Sequence, residues 1–160
     1  MSKSNVKTNA MRILDSNNIN YKMYYYELGK DHIDGIEVAK KIGKDVIEVY
    51  KTLVAQGSSK DFYVYVIPVN ESLNLKKAAK AANEKSVEMI PVKDINKVTG
   101  YIRGGCSPIG MKKQYKTFIN KSAESLNSII VSAGKIGYQI EISPKDLISL
   151  INSEFIDLIK

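Results

Sequence analysis

A chain of 160 residues with 44% hydrophobic content suffices for one globular domain, and it holds neither the run of about 18 apolar residues of a membrane helix nor the apolar N-terminal run of a signal peptide. One cysteine, Cys106, and one histidine, His32, leave no internal disulfide, no His/Cys zinc cluster and no recognisable Ser-His-Asp or Cys-His triad. The 24 Lys and Arg residues exceed the 17 Asp and Glu residues, and this net charge of +7 favours a polyanionic partner, although a lysine-rich solvated surface has the same balance.

The first half of the chain is predicted to alternate helices and strands. Apolar residues at helical spacing predict a helix at 6–17, and an aromatic-rich segment predicts a strand at 21–27. A short helix at 36–42 is expected to end at the glycine that follows it. The β-branched and aromatic segments at 49–56 and 62–69 flank a turn-forming stretch and predict a β-hairpin.

The second half is predicted to contain three more helices and three more strands. They are helices at 75–83, 92–98 and 143–150, a strand at 117–121, and a strand pair at 128–132 and 138–142. Ser143 and Pro144 suit the cap and first turn of the last helix. Hairpins interrupted by helices predict an α+β fold around a mixed or closed sheet, in one continuous domain over residues 1–160. Periodicity leaves both a barrel and an open sheet as alternatives.

Lys51 is the first candidate functional residue. Strand alternation places it on the face of Leu53 and Ala55, which is an apolar setting for an ammonium. Such a lysine is either a gatekeeper against edge-to-edge strand pairing or a functional cation that binds a phosphate or a ribose oxygen. The strand pattern alone favours the gatekeeper.

Two glycine-rich segments are candidates for a backbone site. In GGCSPIG at 104–110, adjacent glycines form either a tight turn or an oxyanion hole of N–H groups. The segment SAGKIG at 132–137 is most simply a hairpin turn with glycine at positive φ, and Ser132 could donate a hydrogen bond into a pocket. Cys106 has no histidine near it in sequence and is interpreted as a structural thiol, and His32 as a surface loop residue.

Taken together, these segments resemble the YbaK/EbsC family of Cys-tRNA deacylases, which is related to the editing domain of bacterial prolyl-tRNA synthetases. The resemblance covers nearly the whole chain. It rests on the order and spacing of VYKTLV at 49–54, LKKAA at 75–79, TGY at 99–101, GGCSPIG at 104–110 and SAGKIG at 132–137. The pairing of V-Y-K-T-L with G-G-x-S-P-x-G is its most specific part.

The resemblance implies a mixed β-barrel packed with helices and a site without metal or cofactor that releases an amino acid from a mischarged tRNA. Lys51 matches the family's key lysine, and Gly104 and Gly105 match the glycines whose backbone is placed at the scissile carbonyl. The residues expected to bind substrate are Tyr26, Ser107, Pro108, Ser132, Gly134 and Gln139. Prolyl-tRNA synthetase is a candidate partner, and the protein is expected in the cytoplasm.

Two departures from the family fall in the expected pocket. No phenylalanine stands around Asp34 and Gly35, and Gln139 occupies a position where relatives often have aspartate. The expected reaction is removal of cysteine from tRNA(Pro) by attack of the substrate's own thiol. The alternatives are an Ala-tRNA(Pro) deacylase that uses water and a non-catalytic module that binds tRNA or a synthetase. The lysines at 76, 77 and 80 and at 112, 113 and 116 form either a tRNA-facing patch or ordinary solvated faces.

Overall fold

The computed structural model describes residues 7–29 and 33–160. The helices are α1 (Asn9–Ser16), α2 (Gly35–Ile42), α3 (Leu75–Ala82), α4 (Ile95–Thr99) and α5 (Pro144–Ile151). The strands are β1 (Lys22–Tyr25), β2 (Tyr50–Gly57), β3 (Phe62–Pro68), β4 (Val87–Met89), β5 (Lys116–Asn120), β6 (Ile129–Ser132), β7 (Tyr138–Ile142) and β8 (Glu154–Ile156). Within the described ranges, none of the helices has the length and apolar character needed to cross a bilayer.

The strands form two sheets. The larger has the order β4-β2-β3-β5-β8, in which β3 and β8 both run parallel to β5. The smaller has the order β1-β7-β6 and is antiparallel throughout. An isolated parallel bridge between Val49 and Ile130 links the two sheets. The predicted α+β class is therefore confirmed, whereas the pairings of the described strands do not close into a barrel, so the barrel is not confirmed.

The predicted elements of the described residues are present, with boundaries shifted by one to a few residues. The expected helix at 92–98 is divided into a 3₁₀ turn, Val92–Asp94, and the short α4. The strands β4 and β8 were not predicted, because three residues are too few to establish an alternating pattern. The start of the first predicted helix at residue 6 and the surface position of His32 lie outside the described residues.

Several helix ends follow from local chemistry. The Asp34 carboxylate accepts a hydrogen bond from the Glu37 N–H at the start of α2, and Gly43 ends that helix in the left-handed region with φ 71°. The Ser143 side chain caps α5, with Pro144 in its first turn as expected. These local contacts set where α2 begins and ends and where α5 begins.

The core has two large parts, and β2 contributes to both. One part packs α1 and α5 on the smaller sheet, and its buried residues include Tyr50. The other packs α3 on the larger sheet, where the Tyr65 hydroxyl donates to the Ala78 carbonyl at 2.8 Å and the Tyr65 ring stacks on Phe118. Ala55 at the far end of β2 belongs to this second part. The strand that carries Lys51 therefore passes from one part of the core to the other.

Candidate active site

A cleft of about 450 Å³ lies beside the first half of β2, in the volume range of sites for small molecules. Its other walls come from the residues after β1, the start of α2, Val69, the segment from Met89 to Ile95, the loop around Gly104, and the pair Ser132 and Gln139. Of the residues predicted for the site, it brings together Tyr26, Lys51, Gly104, Ser132 and Gln139. The other predicted site residues lie outside this lining: Gly105, Ser107, Pro108 and Gly134.

Lys51 is half-buried and shares its face of β2 with Leu53, which packs on the core part that contains Ala55. Burial lowers the pKa of its ammonium, and the negative charges of Asp34 and Glu71 oppose that shift. None of the described carboxylates forms an ion pair with it. β2 pairs with β3 along its length but with β4 only from Ala55 onward, so Lys51 lies where the described strand pairing is on the β3 side alone. Its ammonium is available to an anionic or polar ligand, and the gatekeeper role is tested separately below.

The glycine pair at 104 and 105 divides into two different roles. Gly104 is exposed, has φ 85° and lines the cleft. The Gly105 N–H donates to the Ile102 carbonyl at 2.9 Å and closes a turn around Gly104. A Cβ on Gly105 would lie 3.0 Å from the backbone nitrogen of Ile136, so this glycine permits close packing of two loops. Of the two predicted oxyanion donors, the Gly105 N–H is already engaged inside the loop.

Tyr101 holds the two glycine-rich segments together. A Cβ on Gly134, which has φ 97°, would lie 2.9 Å from the Tyr101 ring. The Tyr101 hydroxyl donates to the Ile109 carbonyl at 2.6 Å. Ser132 accepts a hydrogen bond from the Gly134 N–H at 3.2 Å, and a hydroxyl that accepts one bond can still donate its own proton. Gly134 therefore shapes the turn, while Ser132 reaches the cleft.

Ser107 and Pro108 are buried within the same loop system. The Ser107 hydroxyl accepts a hydrogen bond from the Ile109 N–H at 3.2 Å. This local turn supports the segment that Tyr101 contacts at Ile109. Ser107 therefore stabilises the loop that presents Gly104, and Pro108 is buried beside it.

Tyr26 and Gln139 form the wall nearest the smaller sheet. Tyr26 is buried, and its N–H donates to the Gly137 carbonyl at 2.9 Å. Gln139 is buried on β7, where it pairs with Ser132 on β6. At the start of α2, a Cβ on Gly35 would clash with the Val69 side chain, so α2 begins in close contact with Val69. The two departures from the family pattern, the neutral amide of Gln139 and the segment around Asp34 and Gly35 without a phenylalanine, therefore both lie in the cleft lining.

Cys106 lines the cleft, but its thiol is poorly suited to nucleophilic attack. It packs against the buried residues Val54, Val64 and Val98. Burial raises its pKa to about 11, an effect that a hydrogen bond with Thr99 opposes. The thiolate is the reactive form, so this thiol stays almost entirely protonated near neutral pH. Among residues 7–29 and 33–160, no three His, Cys, Asp or Glu side chains are grouped as metal ligands.

Thr52 is a cleft residue that the sequence analysis did not identify. Its Oγ1 is buried and has no hydrogen-bond partner among the described residues. A buried hydroxyl without a partner is costly, so a ligand in the cleft could satisfy it. Alternation puts Thr52 on the opposite face of β2 from Lys51. Both residues lie between Val49, which bridges to Ile130, and Ala55, where the pairing with β4 begins, and both line the cleft.

A family model of the aminoacyl-tRNA editing domain matches residues 32–150. The chain belongs to this editing-domain family. Membership confirms the predicted reaction class, the removal of an amino acid from a mischarged tRNA. The candidate Cys-tRNA(Pro)/Cys-tRNA(Cys) deacylase EbsC of Enterococcus faecalis is 46% identical to this editing domain over 156 residues, which are 98% of this chain and 95% of the relative.

Solved structures share the fold of this editing domain at low sequence identity. A candidate trans-editing enzyme for prolyl-tRNA synthetase superposes with a TM-score of 0.82 at 18% identity, over 97% of this chain and 99% of its own. A hypothetical protein superposes with a TM-score of 0.84 at 19% identity, over 93% of this chain and 97% of its own. These two structures therefore share the fold built from the two sheets and the five described helices.

The lysines predicted to face tRNA differ in their surroundings. Lys77 forms an ion pair with Asp157 at 2.7 Å and also donates to the Ile159 carbonyl. Lys112 donates to the Lys97 carbonyl at 3.2 Å, and the Lys116 ammonium lies 5.6 Å from the Phe118 ring centre. Half of the predicted patch thus has local partners. The remaining lysines, Lys76, Lys80 and Lys113, are exposed.

Proposed function

We propose that this chain acts as a single editing domain that removes cysteine from Cys-tRNA(Pro), using the substrate's thiol as the nucleophile. The observation that carries the proposal is the composition of one cleft. Lys51 and Gly104 border it, while the one cysteine of the chain lies beside them with a pKa of about 11. A nucleophile supplied by the substrate fits this site better than Cys106 does. The name of the E. faecalis relative supports the choice of amino acid.

In the proposed reaction, the cysteinyl sulfur attacks the ester carbonyl of its own amino acid. The carbon–oxygen bond to the terminal ribose breaks, and the thiol proton ends on the released ribose hydroxyl. The products are uncharged tRNA and a cysteine thiolactone, which water then hydrolyses to cysteine. Holding both groups in one bound molecule replaces several kcal/mol of entropic cost, and a thiol with a reference pKa of about 8.5 already supplies a few per cent of thiolate.

The cleft residues take separate parts in this proposal. Lys51 contacts the ribose-phosphate end and stabilises the negative charge that develops there. The Gly104 N–H donates to the oxyanion, which is an effect of about 3 kcal/mol per donor in other enzymes. Gly105 holds the turn through its bond to Ile102 instead of donating to substrate. Tyr26, Ser132 and Gln139 surround the amino acid.

We also propose prolyl-tRNA synthetase as the partner that supplies the tRNA. A cleft of about 450 Å³ accommodates an amino acid and part of the terminal adenosine, not the distant bases that identify a tRNA. A synthetase that holds tRNA(Pro) would provide this selection. Addition of the synthetase should then raise the rate with Cys-tRNA(Pro) more than the rate with Cys-tRNA(Cys); equal rates with and without it would remove this partner.

A deacylation panel tests the proposed reaction. Cys-, Ala- and Ser-tRNA(Pro) and Cys-tRNA(Cys) are each incubated with wild type and with Lys51→Ala, and the remaining ester is measured over time. We expect Cys-tRNA(Pro) to react fastest and Lys51→Ala to lose most of the activity. Equal rates for Ser-tRNA and Cys-tRNA would exclude attack by the thiol. Preference for Ala-tRNA(Pro) would indicate water as the nucleophile, and tight binding without turnover would indicate a non-catalytic module.

A further inference from the structure

Asp34 supplies a fixed negative charge at the cleft. Among the described residues that line the cleft, it is the only one with a carboxylate. Its backbone is extended, and Oδ1 accepts the hydrogen bond of the Glu37 N–H at 2.9 Å as the N-cap of α2. This cap limits the movement of the carboxylate, since one oxygen is tied to the helix. The side chain therefore has a structural role that still leaves its charge at the cleft.

Asp34 and Lys51 line the same cleft, and the negative charge of Asp34, like that of Glu71 outside the lining, acts on the Lys51 ammonium. Asp34 favours the protonated form of Lys51 and so opposes the effect of burial on the pKa of that lysine. No ion pair joins these two residues, although other oppositely charged groups of the described structure do pair directly, such as Lys77 with Asp157. The negative charge of Asp34 and the positive charge of Lys51 therefore both lie at the cleft without forming a direct ion pair.

An aminoacyl ester has the same pattern of charge. Its positive α-ammonium nitrogen is bonded to Cα, next to the ester carbonyl, while the phosphates of the tRNA end are negative. Lys51 and Arg103, the cationic residues of the described lining, suit the phosphate and oxyanion side. Neither they nor the neutral Gln139 can balance an ammonium.

We propose that Asp34 binds the α-ammonium group of the aminoacyl substrate and thereby selects substrates with a free amine. The inference rests on the proposed function only in taking the ligand to be an aminoacyl ester. The contact orients the amino acid with its carbonyl toward Gly104 and Lys51. It also disfavours tRNA whose amino acid is acylated on nitrogen, such as peptidyl-tRNA, because that nitrogen is uncharged.

A binding measurement tests Asp34 independently of turnover. The two probes are stable adenosine 3′-amides, one with a cysteinyl group and one with a 3-mercaptopropionyl group that lacks only the amine. We expect wild type to bind the cysteinyl probe at least about tenfold more tightly, as for other hydrogen bonds to a charged group. Asp34→Asn should reduce this preference to less than about twofold, since Asn caps a helix as well as Asp does but has no charge.

Matched variants separate charge from fold. Asp45→Asn removes the same charge from the exposed N-cap of the 3₁₀ turn Val46–Glu48, outside the cleft lining, and should keep the full preference. Asp34→Ser keeps a capping side chain and should lose the preference, as Asp34→Asn does. Circular dichroism melts of all variants should agree within a few degrees.

Two outcomes would overturn the inference. Equal binding of both probes by wild type would show that the ammonium is not recognised. Equal weakening of both probes by Asp34→Asn would show that Asp34 acts through Lys51. Turnover of Cys-tRNA(Pro) by wild type is measured separately: a wild type that prefers the cysteinyl probe but does not deacylate would refute the proposed function while supporting the role of Asp34.

Discussion

Lys51→Met separates the functional role of the lysine from its role as a gatekeeper. Methionine keeps an unbranched stem of similar length beside Leu53 and removes the charge. If the ammonium stabilises charge developing in the reaction, its loss should cost about 3–4 kcal/mol of transition-state stabilisation, or about 10²–10³ in kcat/KM. If Lys51 is only a gatekeeper, the variant should instead turn over substrate normally and aggregate more than wild type.

The same variant should be more stable than wild type. The pKa of Lys51 is lower in the folded chain than its ordinary value of 10.5, so between these two values the unfolded chain binds more protons and stability rises with pH. Below that window, at neutral pH, the partly buried charge opposes folding. Because solvent still screens a half-buried ammonium, we expect its removal to stabilise the fold by at most about 1 kcal/mol, or about 2–4 °C in Tm.

Single-turnover deacylation of end-labelled Cys-tRNA(Pro) and thermal melts measure both effects. Lys145→Met, on an exposed residue of α5 outside the cleft lining, controls for the loss of one positive charge. It should change kcat/KM by less than about twofold, as surface substitutions usually do. A folded Lys51→Met with kcat/KM within about threefold of wild type would refute the assigned role of Lys51, since one charged donor is worth far more than that in comparable sites.

Three further predictions follow from the same cleft. Cys106→Ala should keep kcat/KM within about twofold of wild type and lower the free energy of unfolding in urea by about 1 kcal/mol. A folded but inactive variant would instead make Cys106 the nucleophile. Gly104→Ala should lower kcat at least about tenfold in steady-state assays, because a Cβ at φ 85° costs about 1 kcal/mol and displaces the N–H. Undiminished activity would show that the Gly104 N–H is not the oxyanion donor. After subtraction of enzyme-free hydrolysis, the rate should rise as the pH is raised toward 8.5, which is about the reference pKa of the substrate thiol. At higher pH the rate should decrease again, and the decrease should begin before pH 10.5 because the pKa of Lys51 lies under that value. A rate that still rises beyond pH 10.5 would contradict this.

Helices, hairpins and turns were predictable because their signals lie within a few residues of one another. Gly43 ends α2 and Ser143 caps α5 through contacts that span at most one helical turn. The antiparallel pairing of β2 with β3 also joins neighbours in the chain. The parallel pairing of β5 with both β3 and β8 was not predictable, since side-chain alternation tells which face is buried and not which distant strand lies alongside.

Five of the nine site residues predicted from the sequence line the cleft, whereas Gly105, Ser107, Pro108 and Gly134 do not. The family resemblance selected Lys51, Gly104 and Ser132, which line the same cleft. The resemblance treated Gly104 and Gly105 alike, although the Gly105 N–H is bonded to Ile102. Thr52 was not predicted, because the strand pattern assigns it to the face opposite Lys51. Its hydroxyl is buried without a hydrogen-bond partner only in the folded chain, which the sequence pattern does not show.

The sequence by itself determined the local elements, the excess of positive charge and the motifs that mark an editing domain, because each depends on neighbouring residues or on composition alone. Only the tertiary structure decided which backbone N–H is engaged, how burial shifts the pKa values of Lys51 and Cys106, and that Asp34 and Lys51 face one cleft. Those properties are set by distances and solvent access among segments far apart in the chain, and packing of the two sheets and the helices fixes both.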